Sequence, residues 1–179
     1  RGGAAGKTWP IINRLLRSTG LPFDCELMQG QGHGINLARD AVAKGYNLVI
    51  AVGGDGTVNE VVNGLTDDNG RCGAALGIIS AGTQNDTARM LDIPRDYLRA
   101  CQLFKHFETA RIDIGAVECT YNNEIRRRYY INTAGIGFVT DVIEGSISRT
   151  RLKVIGGGIP YAIGVIPKAL DYRNKDVLI

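Results

Sequence analysis

Residues 51–65 read AVGGDGTVNEVVNGL. Together with NLVIAV (47–52) they give an apolar run, a turn made of Gly53, Gly54, Asp55, Gly56 and Thr57, and then a helical pattern. A short apolar run bounded by turn residues reads as a strand buried on both faces, as in parallel sheets. Val58, Val61, Val62 and Leu65 recur at helical spacing, so one face of the next helix packs on that sheet. Thr57 is a good N-cap residue, and Glu60 three residues on completes a capping box. Ligands of open α/β sheets bind beyond the carboxyl ends of the strands. Here the glycines let the backbone come close, and the first N–H groups of the helix face an anion. Asp55 would repel a bare phosphate. A Mg2+ ion between them resolves the conflict, because a hard cation takes carboxylate and phosphate oxygens together. The competing reading is a glycine turn in which Asp55 is merely solvated.

A second loop repeats this layout. LGIISAGTQNDTARML (76–91) runs from a strand through Gly82-Thr83 and Asn85-Asp86 into a helix. The Thr83 hydroxyl and Asn85 amide are suited to phosphate or sugar, and Asp86 adds a second carboxylate at the same sheet edge. Ordinary N-capping by Asp86 explains the residue equally well. A third acid, Asp113 in RIDIGAV, stands between two isoleucines on an expected strand. Such an acid usually marks the exposed face, and its functional reading depends on the other two.

Outward from these loops, strand and helix patterns alternate. Helices are expected at 9–20, 35–45, 57–65, 86–91 and 96–107, and strands at 22–28, 47–52 and 75–80. This grammar implies an α/β fold, a doubly wound parallel sheet with helices on both faces. Near residue 110 it changes. RIDIGAVECT and EIRRRYYINTAG read as strands joined through Asn122-Asn123, a hairpin turn. FVTDVIE reads as a further strand, and a helical piece is expected around 160–172. The expected organisation is a nucleotide-binding α/β domain at 1–109 and, at 110–179, the start of an incomplete antiparallel β-sandwich domain. The abrupt start at RGGAAGKT and the cut strand KDVLI read as an excerpt of a longer protein.

Composition excludes several classes. Net charge is only +3 over 179 residues, which argues against a nucleic-acid binder. The 24 glycines cluster in loops without a collagen period. Cys25, Cys72, Cys101 and Cys119 are widely spaced, which fits a reduced, cytoplasmic compartment. The stretch 154–170 is shorter than the roughly 20 apolar residues a spanning helix needs and is broken by prolines. No transmembrane segment is expected, although contact with a membrane surface remains compatible. GGAAGKT (2–8) falls one residue short of a P-loop, with Arg1 where its first glycine would stand. His33 and His106 are lone histidines that read as surface or helix-face residues. Arg126, Arg127 and Arg128 read as a solvated strand face or as an attraction to anionic lipid.

With these motifs in view, the chain resembles the diacylglycerol kinase catalytic-domain family over its whole length. GGDGTVNEVVNGL carries the resemblance most specifically. GTQNDTARMLDIP, ARIDIGAV, INTAGIGFVTDV and RGGAAGK follow the family's other motifs in order. The resemblance implies ATP and Mg2+ as cofactors and transfer of the γ-phosphoryl group to the hydroxyl of diacylglycerol or a related lipid. It implies peripheral association with the inner membrane face and leaves room for a homodimer. Gly53, Gly54, Asp55, Gly56 and Thr57, with Glu60, match the family's nucleotide loop, and Thr83 and Asn85 its second nucleotide contact. Asp55, Asp86 and Asp113 match the three acids that organise Mg2+ and water around the phosphates. Met28 stands where relatives usually carry threonine, and Ser80 and Gln84 where the second motif commonly has proline and glycine. The family's general base lies later than Ile179. Two alternatives stay open: an NAD kinase-like enzyme, which shares the GGDGT loop, and a nucleotide-binding module without catalysis.

Overall fold

The computed structural model describes residues 4–106, 108–135, 137 and 140. Strands β1 (Leu48–Gly53) and β2 (Ala75–Ser80) pair in parallel, with Val52 opposite Ile79 and Gly53 opposite Ser80. Their side chains alternate between two faces, as the pleat requires. Leu48, Ile50, Val52 and Ile79 pack on one side with Ile12 and Leu16 of α1 (Ala4–Ser18) and Cys101 and Phe104 of α5 (Tyr97–His106). Val49, Ala51, Leu76 and Ile78 pack on the other with Ala38 of α2 (His33–Ala43) and Val58, Val61, Val62 and Leu65 of α3 (Asp55–Leu65). The parallel pair therefore has helices on both faces, which is why its strands are continuously apolar. α2 and α3 touch closely at Gly64, where an added Cβ would stand 2.6 Å from the Ala38 Cβ.

A short helix α4 (Asp86–Met90) follows β2. Strands β3 (Gly115–Tyr121) and β4 (Glu124–Tyr130) form an antiparallel hairpin. Its turn is Asn122-Asn123, with φ of 51° and 63°, the left-handed pair that a two-residue type I′ turn demands. Asn63 of α3 fastens the hairpin. Its amide accepts the Tyr129 N–H (2.9 Å) and donates to the Tyr129 carbonyl (2.9 Å), which Asn59 also reaches (3.1 Å). The Tyr129 hydroxyl donates to the Asp67 carbonyl, and Arg127 is held by Glu118 and the Asp68 carbonyl. The chain divides into compact units at 1–132 and 133–179, so the hairpin lies within the first.

Three local expectations change. Residues 22–28 form no strand. Asp24, Cys25, Glu26 and Leu27 are exposed, and among the described residues only β2 pairs with β1. Without a ladder the backbone of an apolar stretch has no reason to stay regular. Phe23 instead tucks under the Arg17 guanidinium, 5.2 Å from its ring centre. Helix α1 begins at Ala4 and runs through Pro10. Gly6 and Lys7 are already helical, so the described part of that stretch is not a phosphate-cradling loop. The strand expected from Arg111 starts only at Gly115, leaving Asp113 in an irregular, exposed segment. The strand expected at FVTDVIE and the helix expected at 160–172 lie outside the described residues.

Candidate active site

β1 and β2 end side by side, so both glycine-rich loops leave from one sheet edge. The pairing runs one residue past the strands, with the Ala81 N–H donating to the Gly53 carbonyl at 2.9 Å. Beyond it the two loops nearly touch. A Cβ on Gly54 would stand 3.1 Å from the Gly82 Cα, and a Cβ on Gly82 would also lie 2.7 Å from Asn85 Oδ1. Glycine at both positions is thus a packing requirement, and neither has a positive φ. Asn85, at φ 55°, brackets Gly82 with its side chain: Oδ1 accepts the Gly82 N–H (3.0 Å) and Nδ2 donates to the Gly82 carbonyl (2.9 Å).

Asp55 joins the loops. Its carboxylate accepts the N–H of Asp86 at 3.1 Å and of Thr87 at 2.9 Å. Those are the first donors of α4, so Asp55 caps a helix 31 residues further along the chain. Burial alone would raise its pKa. The donors of Thr87 and Asp86 outweigh that, and the carboxyl is held below the usual range. Each carboxylate oxygen keeps lone-pair capacity for a further partner, so the cap does not exhaust the group.

The capping box expected at Thr57 and Glu60 is not formed. Helix α3 starts two residues earlier, with Gly54 as N-cap and no side-chain cap bond, and the Val58 N–H bonds the Gly54 carbonyl (3.1 Å). Gly54 in extended conformation feeds the chain straight into the helix, which leaves the N–H groups of Gly56 and Thr57 in the first turn, without intrahelical acceptors. Glu60 turns the other way. Its Oε2 accepts the Gly34 N–H at the start of α2 (2.9 Å). A Cβ on Gly34 would be 3.0 Å from the Met28 Cε, so Met28 fills the space beside this contact.

Thr83 and Gln84 are exposed on the second loop. The Asp86 carboxylate pairs with Arg89 one turn on. Asp55 and Asp86 are thereby brought together through the first backbone group of α4. Asp113 does not join that network: among the described residues, no set of three His, Cys, Asp or Glu stands close enough to hold a metal ion. Sequence reading missed the Gly54–Gly82 approach, the Asp55 cap and the Glu60–Gly34 bond. A glycine within two residues of each strand's end, Gly54 and Gly82, is the one local signal of the first. The other two link residues 26 or more apart, where spacing carries no signal.

The fold and its paired loops place the chain among α/β proteins that put two glycine-rich turns at one sheet edge. The sequence profile of the diacylglycerol kinase catalytic domain matches residues 2–117, and the chain belongs to that family. It is 35% identical over 172 residues to a diacylglycerol kinase of Staphylococcus haemolyticus, covering 93% of this chain and 48% of that protein. It is 39% identical over 147 residues to a diacylglycerol kinase of Bacillus subtilis, covering 82% of this chain and 45% of that one. A crystal structure of a diacylglycerol kinase from Bacillus anthracis shares the fold, with a TM-score of 0.59 at 24% identity over 84% of this chain and 50% of that one. The chain thus spans about half the length of the relatives it matches. No helix among the described residues is long and apolar enough to cross a membrane.

Proposed function

We propose that the protein transfers the γ-phosphoryl group of ATP to the hydroxyl of diacylglycerol or a related lipid, giving phosphatidic acid. The observation that carries this reading is the pair of loops locked at one sheet edge in a chain of this family. The acceptor oxygen attacks the γ-phosphorus, the bond to the β-phosphate oxygen breaks, and ADP leaves. The hydroxyl proton goes to a general base for which no residue of this chain is put forward. Gly54, Gly56 and Thr57 offer backbone N–H groups to the phosphates, Gly53 ends the strand that delivers them, and Thr83 and Asn85 line the second contact. Asn85 acts chiefly by holding Gly82 in place, and Glu60 by fixing the start of α2 beside the nucleotide.

Mg2+ is usually held by one or two carboxylates together with phosphate oxygens and waters. Asp55, with spare lone pairs, and Asp86 beside it fit that mode; Asp113 brings the right donor type as an outlying third acid. When bound, the ion neutralises charge on the phosphoryl oxygens. The reading extends to a doubly wound first domain, a β-sandwich opening at residue 110, and work at the inner membrane face from the cytoplasm, with a homodimer as its assembly.

The test is transfer of label from radioactive ATP by the full protein, with diacylglycerol micelles, with and without Mg2+. Label in phosphatidic acid only with Mg2+ supports the proposal. Label in NADP when NAD is offered, or ATP binding without transfer to any lipid, overturns it.

A further inference from the structure

The helices on the two faces of the parallel pair differ in charge. On one face, α2 and α3 carry Asp40, Asp55 and Glu60 against Arg39. On the other, α1 and α5 lie side by side through Ile12, Leu16, Cys101 and Phe104. Helix α1 contains Lys7, Arg14 and Arg17, α5 contains Arg99 and Lys105, and neither contains a carboxylate. These cations are all exposed, and none makes an ion pair among the described residues. Asp96 and Glu108 stand off the two ends of α5, and Asp96 is taken up by the Arg99 N–H at 2.9 Å. Aliphatic side chains share the same outer surface. Lys7, Ile11 and Arg14 follow at helical spacing along α1, as do Arg99 and Leu103 along α5. Ile11 and Leu103 are 56% and 51% exposed. A single exposed aliphatic residue is ordinary; its alternation with uncompensated cations on two adjoining helices selects a partner. A nucleic acid would match the cations and leave Ile11 and Leu103 in water. An anionic bilayer meets both, because headgroups take the cations and the acyl boundary takes the aliphatic side chains.

We propose that the outer surface of α1 and α5 is a docking face for an anionic lipid bilayer. This deepens the reading given above and rests on it in one respect: a lipid acceptor lies in a membrane, which makes a bilayer the anionic partner the protein must meet. Arg14 and Arg99 reach phosphate headgroups, with Lys7 and Lys105 beside them, and their apolar stems lie along the surface. Ile11 and Leu103 enter the boundary between headgroups and acyl chains. Each cation held at such a surface raises affinity about fivefold, and the attraction fades as salt screens it.

The experiment is co-sedimentation of the full protein, without ATP, with vesicles of phosphatidylcholine alone or mixed with phosphatidylglycerol. Wild type is expected to bind the mixed vesicles, to leave them as salt is raised, and to bind phosphatidylcholine far more weakly. Arg14→Gln combined with Arg99→Gln should weaken binding to the mixed vesicles about thirtyfold, the loss of two such cations. Leu103→Ser should weaken it severalfold without changing its salt dependence. Arg39→Gln, on the opposite face, is the control and should bind as wild type does. These residues are exposed, so the variants are not expected to disturb folding. None belongs to the two loops, so transfer to a dispersed short-chain diacylglycerol should be unchanged in every variant. No binding of wild type to the mixed vesicles, undiminished binding by the double variant, or an equal loss in Arg39→Gln overturns the docking face. A dimer that the double variant dissolves, found in place of vesicle binding, would assign the face to a second copy and overturns it too. Vesicle binding requires no transfer, so failure here leaves the kinase assay untouched, and failure of that assay leaves this binding measurable.

Discussion

Replacing Asp55 by Asn separates its structural role from any role in chemistry. The carboxylate accepts two backbone donors, Asp86 N–H at 3.1 Å and Thr87 N–H at 2.9 Å, in a partly buried setting. Bonds to an ionised acceptor contribute about 1.5–3 kcal/mol each, and loss of a helix cap costs roughly 0.5–2 kcal/mol. An asparagine keeps one carbonyl oxygen for one donor but turns its own NH2 toward the other. The expected loss is about 2 kcal/mol for Asp55→Asn and about 3 kcal/mol for Asp55→Ala. At roughly 2–4 °C per kcal/mol for a chain of this size, Asn should lower Tm by about 6 °C. The measurement is thermal unfolding followed by circular dichroism in a chelator, with no nucleotide present. Because the native carboxyl sits below its ordinary value, its contribution is full above about pH 4 and is lost as pH falls through the lowered value. The gap between wild type and Asn should therefore close in acid. An equal Tm at neutral pH, or a gap independent of pH, would refute the cap. An inactive Asp55→Asn protein would then implicate the acid in catalysis only to the extent that its activity loss exceeds its loss of folded protein at the assay temperature.

The remaining predictions concern neighbouring contacts. Gly82→Ala drives a Cβ into the Gly54 backbone and should cost about 1–3 kcal/mol, read as a lower urea midpoint; an unchanged midpoint would mean that the loops are not packed as described. Asn63→Ala leaves the Tyr129 N–H without its acceptor and should cost about 1–3 kcal/mol, with amide exchange quickened in β4 before the rest of the unit. Uniform exchange across all strands would count against local release of the hairpin. Gln84→Gly removes an exposed side chain from the second loop and is expected to tighten ATP binding by relieving crowding there; equal or weaker affinity in a titration would reject that. Ser80→Ala removes the unpartnered hydroxyl and should raise stability by about 1 kcal/mol, so a lower Tm would show that the hydroxyl has a partner in solution.

The sequence by itself determined whatever a short window contains. The apolar run at Leu48–Gly53, the i, i+3, i+4, i+7 pattern of α3 and the Asn122-Asn123 turn are local signals, and the structure keeps all three. Two glycine loops after two strands were legible for the same reason, as was the change to antiparallel strands after residue 110. Tertiary structure decided which polar groups those elements satisfy. Thr57 and Glu60 have the spacing of a capping box, yet α3 starts two residues before Thr57, and Glu60 accepts the Gly34 N–H because α2 returns beside α3. Residues 22–28 carry strand composition but find no ladder, and without one the composition decides nothing. Asp55 shows the difference most clearly. Its place in a glycine turn is local, but its two N–H donors lie 31 and 32 residues away. They reach it only because β1 and β2 pair in parallel and deliver both loops to the same edge.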